Sequence, residues 1–60
     1  MTAERCGHCD TLEAVAVLTW GYPDETYELE AALCDGCAGQ VRRRDRAGHV
    51  ILTEDEPLLA

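Results

Sequence analysis

Phenylalanine and lysine are absent from this chain of 60 residues, and isoleucine and methionine occur once each. The missing large apolar residues leave a core of mostly Ala, Val and Leu, with Trp20, Tyr22 and Tyr27 as the only aromatics. Long apolar runs are missing too. The longest spans residues 14–18, far short of the roughly 20 residues that cross a bilayer. No membrane segment is expected. Residues 1–5 read Met-Thr-Ala-Glu-Arg, with no apolar stretch of the kind a secretory signal needs. Positive charge is scarce, with 5 Arg against 12 acidic residues and a formal charge of −7. Such a chain repels phosphate overall, which excludes general coating of nucleic acid. The length excludes a two-domain enzyme and a nucleotide-binding α/β fold, and leaves one domain over 1–60. There is no internal repeat and no low-complexity block.

So thin a core raises the question of stability. Below about 70–80 residues a hydrophobic core rarely supplies more than about 3–5 kcal/mol, and small natural domains add a staple. The candidates are Cys6, Cys9, Cys34 and Cys37, spaced C-x2-C-x24-C-x2-C. A pair of Cys at i and i+3 closes a tight knuckle that points both sulfurs at one ion. Two such pairs supply the four thiolates of a structural zinc site. The inner dipeptides Gly7-His8 and Asp35-Gly36 each hold a Gly, which tight turns favour. One Zn2+ per chain is expected, contributing about 10–16 kcal/mol of apparent binding free energy to folding.

Other chemistries fit the cysteines less well. Two disulfides conflict with a reducing cytoplasm, the compartment expected in the absence of an export signal. A redox-active Cys-x-x-Cys normally sits on a larger βαβ unit. A rubredoxin-like iron site uses the same four thiolates, but the aromatic-rich core that goes with it is missing. A closed four-Cys shell leaves no coordination position for substrate or water. The metal is therefore expected to be structural, and the protein not an enzyme.

Along the chain, residues 1–5 read as a frayed start and Cys6 to Cys9 as the first knuckle. A strand is expected over 13–20, then a turn at Gly21-Tyr22-Pro23-Asp24-Glu25. A second strand over 26–33 alternates Tyr27, Leu29, Ala31 and Leu33 with Glu28 and Glu30, which gives it one wet, acidic face. The two strands form a hairpin that carries the chain back to the second knuckle. A helix is expected from Asp35 as N-cap through 38–47, with Gly48 at the left-handed position past its end. On a wheel at 100° per residue, Cys37, Ala38, Val41 and Gly48 share one side, and Arg42, Arg43 and Arg46 fall opposite. Asp45 lies near Val41 and is expected to pair with Arg42. Residues 49–53 are expected as a short third strand, 54–57 as an acidic stop and 58–60 as a tail. The metal core thus spans 6–53 and the acidic, apolar tail 54–60.

Knuckle, hairpin and helix in that order give the expected fold class, a small α+β zinc-stabilised domain of treble-clef type. A zinc ribbon, with each knuckle on a hairpin, is the runner-up. With two Cys-x-x-Cys knuckles, no Lys and abundant Asp and Glu, the chain resembles the very small zinc-finger proteins of haloarchaea. Dense carboxylates keep a hydrated surface where molar salt shortens the Debye length to about 3 Å. Knuckles there often read C-P-x-C-G. Gly7 and Asp35 stand here in the Pro place, and Asp10 and Ala38 in the place of the trailing Gly. The resemblance implies a stand-alone cytoplasmic adaptor or regulator without catalysis, of a kind associated with motility or biofilm formation.

Charge is sorted along the chain. Residues 38–50 hold four Arg and one Asp, net +3, whereas 1–37 hold one Arg and eight acids, net −7. Arg42, Arg43 and Arg46 are therefore candidates for partner binding, with Trp20 and Tyr22 as candidate aromatic contacts. A protein partner is expected first. Nucleic acid bound through the Arg-rich helix is the alternative. The plainer expectation is that these Arg residues pair with Glu28 and Glu30 of the hairpin. His8 is expected to be exposed, and His49 is not needed as a ligand. The protein is expected to be a monomer or a homodimer.

Overall fold

In the computed structural model, which describes residues 4–58, the elements run β1 (Ala16–Gly21), β2 (Glu28–Leu33), α1 (Asp35–Arg46) and β3 (Ile51–Pro57). They form one three-stranded sheet in the order β2-β1-β3, with both neighbours antiparallel to β1. The expected hairpin is present. Its strands are shorter than their sequence pattern and its connection longer, spanning residues 22–27.

Register explains which face is dry. Ala16 pairs with Leu33, Leu18 with Ala31 and Trp20 with Leu29. Directly opposed residues share a face, so these six stack on one side of the sheet. Helix α1 covers that side through Ala38 and Val41, and Leu18 and Ala38 have no exposed surface. The opposite side carries Val17 and Thr19 with the acids. Thr19 is flanked by Glu30 and Glu54, and Gly21 by Glu28.

The helix begins one residue earlier than its pattern suggested. Cys34 takes the N-cap position in extended backbone, with no side-chain cap hydrogen bond, and Asp35 becomes the first helical residue. Asp35 stays favourable there, because a carboxylate in the first turn opposes the positive end of the helix dipole. The far end follows the sequence. Gly48 has φ 81°, His49 N–H donates to the Arg44 carbonyl at 2.8 Å and Gly48 N–H to that of Asp45 at 3.1 Å. These are the two bonds of a Schellman motif.

Strand β3 corrects the expected acidic stop. It runs through Glu54, Asp55 and Glu56 to Pro57 instead of ending at Thr53. Proline is tolerated there because β3 is an edge strand at its last residue. Pairing skips a residue, since Thr19 opposes Glu54 and Trp20 opposes Leu52. Thr53 is thus the extra residue of a β-bulge, with its hydroxyl 3.1 Å from both the Thr19 carbonyl and Glu28 Oε2. A bulge flips the alternation of every residue beyond it. Leu52 therefore packs against the core, while Asp55, opposite Leu18, shares the helix side and Glu54 and Glu56 do not.

The start of the chain is tied down rather than frayed at residues 4 and 5. The backbone of Arg5 pairs with that of Glu13 in an isolated antiparallel β-bridge, and Ala14 N–H donates to the Glu4 carbonyl at 2.8 Å. Residues 1–3, with the rest of the expected frayed start, and 59–60, with most of the expected tail, lie outside the described residues. Among the described residues no helix is long and apolar enough to cross a membrane.

Candidate metal centre

The two knuckles meet because β1 and β2 are paired to their common end. The first leaves the chain just before β1 and the second follows β2 directly. Cys6 N–H donates to the Leu12 carbonyl at 2.9 Å, and Asp10 N–H to that of Cys6 at 3.0 Å. Those bonds close the first knuckle on itself. Gly7 N–H donates across to the Ala32 carbonyl at 2.8 Å, which clamps it to β2. The left-handed residue here is Asp10, with φ 57°. Gly7 does not supply it, contrary to the expectation for a glycine turn. Gly36 does not supply one either, because the second knuckle is the first turn of α1.

All four sulfurs lie within 4.8 Å of one another. A tetrahedral shell with Zn–S bonds of about 2.3 Å has edges of about 3.8 Å. Cys9 Sγ and Cys34 Sγ stand 3.8 Å apart. The four thiols are free, so the disulfide alternative is not realised. Cys6 and Cys34 are buried, while Cys9 and Cys37 are half-buried. His8 N–H and Cys9 N–H point at Cys6 Sγ at 3.4 and 3.5 Å. Donors aimed at a sulfur are what a thiolate needs.

The electrostatics pull the sulfurs apart in behaviour. The Cys9 backbone N–H is the largest cause that brings the Cys6 thiol down to about 5, against burial, with Cys34 and His8 N–H adding to it. Cys9 is lowered as well, chiefly by the side chain and backbone of Thr11. Cys37 is pushed up to about 12, first by donating to Cys34, then by burial and by repulsion from Cys34 and Cys6. Four thiolates cannot crowd together without a cation to balance them. A bound dication reverses that penalty and deprotonates its ligands outright. The residues present therefore fit one metal ion, held by Cys6, Cys9, Cys34 and Cys37. His8 is exposed as expected, but its Nδ1 lies 3.4 Å from Cys37 Sγ. It sits beside the shell, outside the ligand set. His49 is not in the cluster.

The arginines part company. Arg42 reaches across to β3, where Nε and Nη2 donate to the two carboxylate oxygens of Asp55 at 2.7 and 2.8 Å. The pair lowers Asp55 and raises Arg42. This replaces the expected pairing of Arg42 with Asp45, Glu28 or Glu30. Asp45 instead accepts the Leu52 N–H at 3.1 Å, which accounts for an acid on the apolar side of the helix. Arg43 and Arg46 are exposed, and Arg43 lies beside Arg44 rather than with Arg42. Trp20 is half-buried against the core, and Tyr22 stands 36 % exposed beside it.

Sequence reasoning missed Arg44 and Asp55. Arg44 follows Cys37, Gln40 and Val41 by seven, four and three positions, spacings that place it on their helix face. That signal was readable. Nothing local marked Asp55, because its orientation depends on the bulge at Thr53. No protein-family model, no curated protein and no solved structure matches the chain.

Proposed function

We propose that this chain is a non-enzymatic, zinc-stabilised module of treble-clef type that acts as a protein-interaction adaptor or regulator. The observation that carries this reading is the convergence of four thiol sulfurs from two knuckles on one ion-sized space. Treble clef is favoured over ribbon because the second Cys pair opens a helix. Zinc is favoured over a rubredoxin-like iron by the absence of Phe from the core. A four-thiolate shell has no open coordination position, so the ion's task is to hold the fold. Four free thiols suit a reducing cytoplasm. The nucleic-acid alternative is weakened, since Arg42 is engaged by Asp55 and the body of the domain is acidic.

Native mass spectrometry of freshly purified, reduced protein should find one zinc per chain. Two metals, iron or no metal would overturn the reading. The haloarchaeal character of the composition has its own test. At limiting zinc, molar KCl should raise the melting temperature by relieving carboxylate repulsion. A flat response between dilute and molar salt would oppose it.

A further inference from the structure

Four of the five cations lie on α1 in a chain of 12 acids, yet only Arg42 has found a carboxylate. Among the described residues the Arg42–Asp55 contact is the one ion pair. Arg43, Arg44 and Arg46 are exposed, on an element that covers the face of the sheet opposite Glu28, Glu30, Glu54 and Glu56. Arg43 and Arg44 flank one shallow depression with Gln40 and His49. Gln40 and Arg44 also form one wall of a deeper groove of about 370 Å³, between α1 and the β2 side of the sheet. Trp20, Tyr22, Leu29 and Val41 line that groove. Arg44 therefore joins a cationic surface to an apolar, aromatic one.

We propose that this groove, with Arg44 on its lining and Arg43 in the adjoining depression, docks an acidic segment of a partner protein that bears a leucine-like side chain. The inference rests on the protein-interaction reading above and names the surface and its partner chemistry. Charge complementarity selects the partner. Over the rest of this acidic molecule an incoming carboxylate is repelled, whereas here it meets guanidiniums that have no internal partner. Size selects the anchor. The groove lies at the lower end of the roughly 300–1,000 Å³ of ligand pockets, enough for one or two apolar side chains. Composition agrees, because Trp, Tyr and Arg are enriched among residues that dominate binding energy. Glu30, on the edge strand β2, also lines the groove, so the attraction for the segment's carboxylates comes from Arg44. Nucleic acid fits less well. A strand leaving the arginines would run onto acidic surface.

The test uses zinc-loaded protein and a capped peptide of repeating Asp-Leu-Leu-Glu. Binding is followed by the fluorescence of Trp20, the single tryptophan. The peptide should shift that emission, while peptides of repeating Lys-Leu-Leu-Lys or Asp-Ser-Ser-Glu should not. Arg44→Glu should weaken binding by about tenfold or more, because it turns an attractive charge at the groove into a repulsive one. Tyr22→Ala should weaken it as well. Arg42→Ala, whose side chain is turned to Asp55, should leave it nearly unchanged. No binding by metal-loaded, folded protein would overturn the inference and leave the zinc module standing. A metal-free, unfolded sample would overturn the zinc reading itself. Tighter binding of oligouridylate than of the acidic peptide, lost in Arg44→Glu, would assign the surface to nucleic acid and overturn the proposal.

Discussion

Cys6–Cys9 and Cys34–Cys37 share one spacing but not one backbone. The first pair sits in an irregular loop, closed by its own main-chain bonds and by a left-handed Asp10. The second is the N-cap and third residue of α1, where helical geometry alone brings positions i and i+3 to one side. The loop is held by what surrounds it, and the helix turn by its own repeat. A C-x2-C motif thus states where two sulfurs go, and leaves open how the chain gets them there.

The largest expected effect erases the difference between the two. Cys6→Ser and Cys34→Ser should each unfold the domain, because metal binding of about 10–16 kcal/mol is coupled to folding. Circular dichroism and NMR dispersion check this. A metal-free mutant with a dispersed spectrum would show that the sheet stands without its ion. Acid should act likewise. The ligands bind metal only as thiolates, so falling pH favours the metal-free state, and metal release and unfolding should coincide.

A smaller change separates the knuckles. Asp10→Val should cost about 1–2 kcal/mol, since a β-branched residue is strained in the left-handed region. Asp10→Gly should cost little or nothing. Denaturant unfolding of the zinc-loaded forms checks both, and equal stability of the two variants would deny the strain.

The glycines sharpen the contrast. A Cβ at Gly36 meets nothing within 4 Å and its φ is not positive. Gly36→Ala should therefore stabilise the helix by about 0.5–1 kcal/mol. Gly7 is not helical, and a Cβ there would touch the Ala32 carbonyl at 3.5 Å. Gly7→Ala should lack the helical gain. Thermal melts compare the two, and an equal gain would contradict the difference in backbone.

The smallest effect lies away from the metal. Asp55→Asn should cost no more than about 1 kcal/mol, because the Arg42–Asp55 pair is a third exposed. Its pH dependence has a definite sign. Asp55 is held below its ordinary value of 3.8 by Arg42. Its contribution is then complete above the unfolded value and fades as pH falls through the lowered one. The mutant and parent should differ at pH 6, and the difference should shrink as pH falls below the unfolded value toward the lowered one. Because acid also releases the metal, the comparison belongs in double-mutant cycles with Arg42→Ala. A pH-independent difference would assign the effect to packing.

The hairpin, the helix and its glycine stop, and the set of four clustered cysteines were legible in the residues. Each depends on neighbours a few positions apart. The turn cluster after Trp20, the alternation of Leu29, Ala31 and Leu33 with the glutamates, and Gly48 after the last helical turn are local signals. The helix start was misplaced because Asp35 looks like a cap, whereas Cys34 takes that place in the extended backbone leaving β2. The full length of β3 was hidden because Glu54, Asp55 and Glu56 read as a solvated stop. As an edge strand with one open face, β3 can carry them without burying them.

By itself the sequence determined four cysteines in two Cys-x-x-Cys pairs, a net charge of −7 and a small stock of large apolar residues. These follow from composition and from spacings within a few residues. Only the tertiary structure decided that Arg42 meets Asp55, that Asp45 holds Leu52, and that Arg44 lines one groove with Trp20 and Tyr22. All three depend on which elements lie side by side, and the first depends also on one bulged residue that reverses the alternation of everything after it. Such a reversal comes from pairing between distant parts of the chain, and no local pattern carries it.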